Sequence, residues 1–130
     1  MKSSDKGFLA VLLAVSASLT GNRYKAYMVI YGVTMELMPD VNEIKARREL
    51  EVLVNLLGTS GISALQSKSE DVDVELRKQC FFYGYEVALK HGAISNTTQL
   101  ILDKLQVDWS ITDDFKSKVI EVLTEKIKAH

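Results

Sequence analysis

Helix-breaking residues divide this 130-residue sequence into segments that have the length of helices. The sequence contains one proline and seven glycines, which fall at the ends of apolar segments more often than inside them. Within the segments, apolar residues recur at steps of three and four, and no long stretch alternates apolar and polar residues as a strand would. The pattern predicts an all-α fold, a compact bundle of six to seven helices forming a single domain over residues 1–130.

Capping residues predict the limits of the first three helices. The first ends at Thr20-Gly21-Asn22, because glycine readily takes the left-handed conformation that closes a helix. Pro39 ends the second helix. Asp40 is predicted to cap the third, with Glu43 in the capping-box position, and Gly58 to close it. The three predicted helices cover residues 5–19, 23–38 and 41–57.

The second half of the chain is predicted to contain the central helix. Residues 73–89 are apolar on nearly every side from Cys80 onward, which is typical of a buried helix. Ser95 and Thr112 are predicted to cap the last two helices, and Trp109 between them is expected to fill a gap in the core. The remaining predicted helices cover residues 62–66, 96–106 and 113–128.

The charge balance argues against two classes of partner. The sequence has 16 Lys and Arg against 17 Asp and Glu, which gives a net charge of −1. Domains that bind nucleic acid usually carry a basic face, because they must neutralise phosphates. We therefore expect neither a nucleic-acid partner nor attachment to an anionic membrane surface.

The first apolar run, Phe8–Val15, follows Lys2 and Lys6 as the core of a signal peptide would. Asp5, however, lies in the part that would be purely basic, and the run is shorter than the roughly 20 residues that span a bilayer. We interpret it as a buried first helix and expect no membrane insertion. The single cysteine, Cys80, lies in an apolar run and is expected to be a small buried side chain, which fits a cytoplasmic location.

The histidines give no sign of a catalytic centre. His130 is the last residue, and His91 is predicted at a helix end, where a cation complements the helix dipole. The sequence lacks the nucleophile-elbow, phosphate-loop and zincin motifs. We predict that the protein is not an enzyme and that it has no cofactor.

One acidic cluster has the oxygen ligands that calcium prefers. It consists of Glu70, Asp71, Asp73 and Glu75. An EF-hand loop that began at Asp71 would need glycine where Leu76 stands and glutamate where Phe82 stands. We therefore interpret the acids as the first turn of a helix, where they complement the dipole, and predict no metal site.

The second predicted helix carries a row of tyrosines and methionines, which we call the Tyr–Met face. Its members follow one another at steps of three and four, so they share one side of the helix. Such a row is a core face in most helices, but Tyr and Met together also form adaptable binding surfaces. We name it as the candidate interaction surface. The Tyr–Met face consists of Tyr24, Tyr27, Met28, Tyr31, Met35 and Met38.

The two halves of the chain share a layout, in which an apolar helix ends in glycine and a new helix follows at once. The two stretches are Val15–Gly21 and Val87–Ser95. This layout resembles the TerB-like family, named for a tellurite-resistance protein, whose members are seven-helix domains of about this length. Gly92, Ile94 and Ser95 stand where the second-half pattern of that family expects them.

The acidic positions of the family are not matched. Its aspartate before glycine is His91 in the second half, and its helix glutamate is Thr98; in the first half they are Thr20 and Tyr27. Since the family is associated with divalent metal through those carboxylates, the resemblance implies the fold without the metal ligands.

These observations predict a non-enzymatic helical protein-interaction domain in a bacterial stress-response or tellurite-resistance-like system. One alternative is a small immunity or antitoxin-like protein that inhibits a partner enzyme. Another is a small-ligand-binding bundle, with a pocket lined by Tyr27 and Tyr31. The expected partner is a protein of unknown identity, and a shared apolar face would favour a homodimer.

Overall fold

The described part of the chain forms seven α-helices, in agreement with the six to seven that the sequence predicts. The computed structural model describes residues 2–38, 40–90 and 94–128, and within these ranges it contains no strand. Two short 3-10 turns, Ser67–Asp71 and Val74–Leu76, connect the halves. The helices are α1 (Ser3–Thr20), α2 (Arg23–Leu37), α3 (Glu43–Ser60), α4 (Ile62–Gln66), α5 (Arg77–Lys90), α6 (Asn96–Asp108) and α7 (Asp113–Lys128).

Helix α1 is the central helix, so the prediction that residues 73–89 hold that place was wrong. Every residue from Phe8 to Ala17 is buried, and α1 contacts α2, α3, α4, α5 and α6. A helix that is apolar all round must be covered all round. Helix α5 starts at Arg77 and not near Asp73, and its charged residues at both ends keep part of it at the surface.

The N-terminal cap of α3 corrects a second prediction. The capping side chain is Asn42, whose Oδ1 accepts hydrogen bonds from the backbone N–H groups of Ile44 (2.9 Å) and Lys45 (3.4 Å). Asp40, predicted as the cap, lies too far before the first turn, and asparagine caps a helix as well as aspartate does. The helix also continues past Gly58 and ends at Ser60.

Three other predicted helix ends are confirmed. Gly21 is left-handed (φ 62°) after α1 and donates its N–H to the carbonyl of Ala17. Ser95 accepts the N–H of Thr98 at the start of α6, and Thr112 accepts that of Phe115 at the start of α7. Pro39, His91, Gly92 and His130, for which the sequence also gave expectations, lie outside the described residues.

The second half of the core is closed by Trp109, as expected. Its side chain is buried, and its indole Nε1 donates a hydrogen bond to the carbonyl of Ser69 at 3.3 Å. Cys80 is fully buried beside Phe8, and burial raises the pKa of its thiol well above the ordinary value. Both residues therefore contribute to packing. Among the described helices, none combines the length and apolar character that a membrane crossing requires.

We predict that Leu12→Ala strongly destabilises the fold. Leu12 is completely buried in the centre of α1, and removing a buried leucine typically costs about 2–5 kcal/mol through lost burial and the cavity left behind. Urea unfolding followed by circular dichroism measures the change. Leu100→Ala is the matched control, because Leu100 is 69% exposed and its loss should change stability by less than about 0.5 kcal/mol. Equal losses for the two variants would contradict the central position of α1.

Candidate functional site

The Tyr–Met face lies at the edge of the core, where Tyr27, Tyr31 and Met38 are half-buried and pack against core residues. None of its six residues is buried, and Tyr24 and Met28 are 71% and 52% exposed. The side of α2 that enters the core carries Ala26, Ile30 and Thr34 instead. The row is thus divided between core contact and solvent, and its use as an interaction surface stays a prediction.

A groove runs along this face between α2 and α3. Its volume is about 570 Å³, within the range of small-molecule and peptide sites. The predicted pocket residue Tyr27 lines it, whereas Tyr31 does not. Sequence reasoning missed the α3 wall, because nothing in the sequence shows which helix packs beside the tyrosines. The lining residues are Arg23, Tyr24, Tyr27, Glu51, Val54 and Asn55.

Arg23 has its place at one end of the groove because position 58 is glycine. A Cβ built on Gly58 would overlap Nη1 of Arg23, so the guanidinium lies directly against the backbone of α3. Neither Arg23 nor Glu51 forms an ion pair with another described residue. The groove therefore offers a cation and an anion that are both available to a partner.

The next part of the face is held by hydrogen bonds to α3. The hydroxyl of Tyr31 donates to Oε1 of Glu43 at 2.5 Å, and Nη2 of Arg47 donates to the same oxygen at 3.0 Å. The Arg47 guanidinium lies 5.4 Å from the centre of the Tyr31 ring, a cation–π distance. Tyr27 and Tyr31 stack at 6.2 Å. These contacts fix two aromatic rings in a partly solvated position.

Burial and neighbouring charge change the acidity of Tyr27. Its partial burial raises the pKa of the phenol, and the nearby Glu51 carboxylate raises it further. The hydroxyl therefore stays protonated at neutral pH and serves as a hydrogen-bond donor. It is not a candidate for a phenolate nucleophile.

The position where the TerB-like pattern has glutamate, Thr98, lies in a chain of hydroxyl groups. Thr98 is completely buried and lies 2.7 Å from the Ser18 Oγ and 2.8 Å from the Ser95 Oγ. Ser18 donates its only hydroxyl proton to the carbonyl of Val15, so it accepts from Thr98, which in turn accepts from Ser95. Neutral hydrogen bonds thus join α1 to α6 here.

The acidic cluster lies on the 3-10 turns before α5. Glu70 and Asp71 belong to the first turn and Glu75 to the second. Over the described ranges, the structure brings no three potential metal ligands together. The acids were interpreted as the first turn of a helix; Glu70 and Glu75 do stand in first turns, but in those of the two 3-10 helices and not in that of α5, which starts at Arg77.

Glu86 is a buried carboxylate that sequence reasoning did not single out. It is 8% exposed, and its Oε1 forms ion pairs of 3.1 Å with both Lys90 and Lys126. Burial by itself would raise the pKa of Glu86, but the hydrogen bonds from the two lysines outweigh it and lower the pKa below the ordinary 4.5. A single acid inside the apolar stretch of α5 was the signal that could have indicated it.

No protein-family model, curated protein or solved structure matches this chain. Function is therefore inferred from the surfaces of the molecule itself.

We predict that Gly58 and Arg23 are energetically coupled. Alanine is better than glycine inside a helix by about 1 kcal/mol, so Gly58→Ala should stabilise the protein by that amount in an Arg23→Ala background. With Arg23 present, the new methyl group displaces the guanidinium, and the gain should be smaller. Urea unfolding of the four proteins of this double-mutant cycle measures the difference.

Gly32→Ala is the matched control for this cycle. A Cβ at Gly32 meets nothing within 4 Å, so its gain should be the same in both backgrounds. An equal gain for Gly58→Ala in both backgrounds would contradict the contact between Arg23 and Gly58.

We predict that Glu86 stabilises the fold at neutral pH and that this stabilisation is lost in acid. Because its folded-state pKa lies below the unfolded value, its carboxylate stabilises the fold above pH 4.5, and this contribution is lost as the pH falls through the lower folded pKa. The stability difference between the wild type and Glu86→Gln should therefore shrink from roughly neutral pH to about pH 3 in urea unfolding. Glu51→Gln, at an exposed position without an ion pair, should show no comparable change. A constant difference for Glu86 would contradict the ion pairs.

Proposed function

We propose that the chain is a non-enzymatic protein-interaction domain that binds its partner through the Tyr–Met face of α2. The observation that carries the proposal is the exposure of this face: Tyr24 and Met28 point into solvent although α2 has a separate side that packs in the core. Tyrosine, methionine and arginine are enriched at protein interfaces, and tyrosine and arginine among the residues that dominate binding energy.

The order of the side chains on this face before binding also supports the proposal. The Tyr27 and Tyr31 rings are stacked on each other, and Tyr31 is tied to Glu43 and Arg47 on the neighbouring helix. Side chains that are already ordered lose less conformational entropy when a partner arrives. Tyr24 and Met28 beside them are free to adapt, which gives a firm centre with a flexible rim.

We further propose a relation to the TerB-like domains and a place in the cytoplasm, in a bacterial stress-response or tellurite-resistance-like system. The seven-helix order and the glycine turn at Gly21 support the relation. The neutral hydrogen bonds of Thr98 stand where that family has a carboxylate, which is consistent with a member that acts by protein contact and not through a metal.

A second candidate function is the binding of a small ligand in the α2–α3 groove. The groove volume of about 570 Å³ and its mixture of aromatic, apolar and charged lining residues favour it. The two candidate functions require different residues. A small ligand would contact the groove around Tyr27, whereas a protein partner would also contact Met28, which does not line the groove.

We predict that a photoreactive phenylalanine at position 24 forms a covalent adduct with one protein partner in cells that express this chain naturally. Tyr24 is 71% exposed on the proposed surface, so a bound protein should lie within reach of the reactive group. Gel electrophoresis and mass spectrometry detect and identify the adduct. An adduct with a toxin enzyme would support the role of an immunity protein. An adduct with a stress-response protein would support the leading proposal.

The same substitution at Leu100 is the control, because Leu100 on α6 is 69% exposed, close to the value for Tyr24. Met28→Asp in the chain labelled at position 24 should reduce the adduct about tenfold or more, since it places a charge in the interface without touching the core. Equal labelling from positions 24 and 100, or labelling that Met28→Asp leaves intact, would overturn the proposal.

A further inference from the structure

A second groove lies on the other flank of α2, between α2 and α5. It has a volume of about 340 Å³, at the lower end of the range of small-molecule sites. Valines from both helices form much of its wall, namely Val29, Val33 and Val87. No residue of the Tyr–Met face lines it.

Gly32 leaves this groove open. It stands inside α2, where glycine is less favourable than alanine because it loses more backbone freedom on folding. Its backbone does not take a positive φ, and a Cβ on it would meet no atom within 4 Å. Neither the backbone conformation nor a neighbouring residue therefore requires glycine at this position. The absence of a side chain at Gly32 keeps space free in the wall of the groove.

Glu86, on the opposite wall, has an unsatisfied acceptor. Its Oε1 is committed to Lys90 and Lys126, but its buried Oε2 has no hydrogen-bond partner among the described residues. A buried acceptor on a charged group is unfavourable when it is left unpaired, because it has lost its hydrogen bonds to water. Because Glu86 lines the groove and the terminal torsion of a glutamate is soft, a donor that enters the groove could be met by a rotation of this carboxylate.

The charges around the groove determine which net charge a ligand should have. Glu36 and Glu86 line it, and Lys90 at its rim and Lys126 behind Glu86 balance them. A cation would add positive charge beside two lysines, and an anion would approach two carboxylates. An uncharged molecule disturbs this balance least, and its apolar part fits the valine walls.

We propose that the α2–α5 groove binds a small uncharged molecule that has an apolar body and one hydrogen-bond donor, with Glu86 as the acceptor and Gly32 as the residue that makes room for the body. This site is separate from the Tyr–Met face and does not depend on the protein-binding proposal.

The test is a titration of the full ¹⁵N-labelled chain with cyclohexanol, followed by amide chemical shifts. Saturable shifts at millimolar concentrations are expected in the residues that line the groove, namely Val29, Gly32, Val33, Glu36, Tyr83, Glu86, Val87 and Lys90. Cyclohexyl methyl ether has nearly the same body without a donor and should bind about tenfold more weakly or worse. Cyclohexylammonium and cyclohexanecarboxylate test the charge argument and should also bind more weakly.

Gly32→Leu should weaken cyclohexanol binding about tenfold or more, because the new side chain fills the groove. Its thermal midpoint should not fall, since leucine favours the helix and meets no neighbour near Cβ, so loss of binding would not reflect unfolding. Lys25→Leu, at an exposed position on the same helix, is the control and should bind as the wild type does. Equal binding of alcohol and ether, unchanged binding to Gly32→Leu, or no saturable shift would each overturn the proposal.

Discussion

The eleven consecutive buried residues of α1, Gly7–Ala17, determine how the rest of the molecule is arranged. A helix that has no polar side must be enclosed, and five other helices contact α1 for that reason. Because α2 and α5 both pack against this helix, the spaces beside them become surface grooves. The positions of both candidate sites thus follow from the burial of one helix.

Much of the fold could be predicted because the signals are local. The spacing of apolar residues gives the seven helices, and Gly21, Ser95 and Thr112 act at the turns in which they stand. The choice of the central helix was wrong because both α1 and α5 are apolar in the middle. What separates them is the charge at the two ends of α5, Arg77 and Lys78 at its start and Lys90 at its end, because these side chains need access to solvent.

The candidate sites could be predicted only in part, because they depend on contacts between distant segments. Helix α2 has two rows with helical spacing, the Tyr–Met face and the smaller row of Ala26, Ile30 and Thr34. Periodicity cannot tell which row enters the core, but the polar tips of tyrosines favour the surface. The partners of Tyr31 and Arg23 come from α3, and Lys126, the second partner of Glu86, comes from α7. No spacing rule within one helix finds these three contacts, whereas Lys90 follows from its place four residues after Glu86.

The contact between Trp109 and Ser69 gives the molecule an optical reporter. The chain has a single tryptophan, and its indole is buried and hydrogen-bonded to a carbonyl on the 3-10 turn forty residues earlier. Indole emission moves to longer wavelength when water reaches the ring, so intrinsic fluorescence reads whether this turn is docked against the end of α6. Trp109 lines neither of the two α2 grooves, so a ligand bound in either groove does not touch the indole. The emission wavelength therefore reports on the second half of the chain, whether or not a groove is occupied.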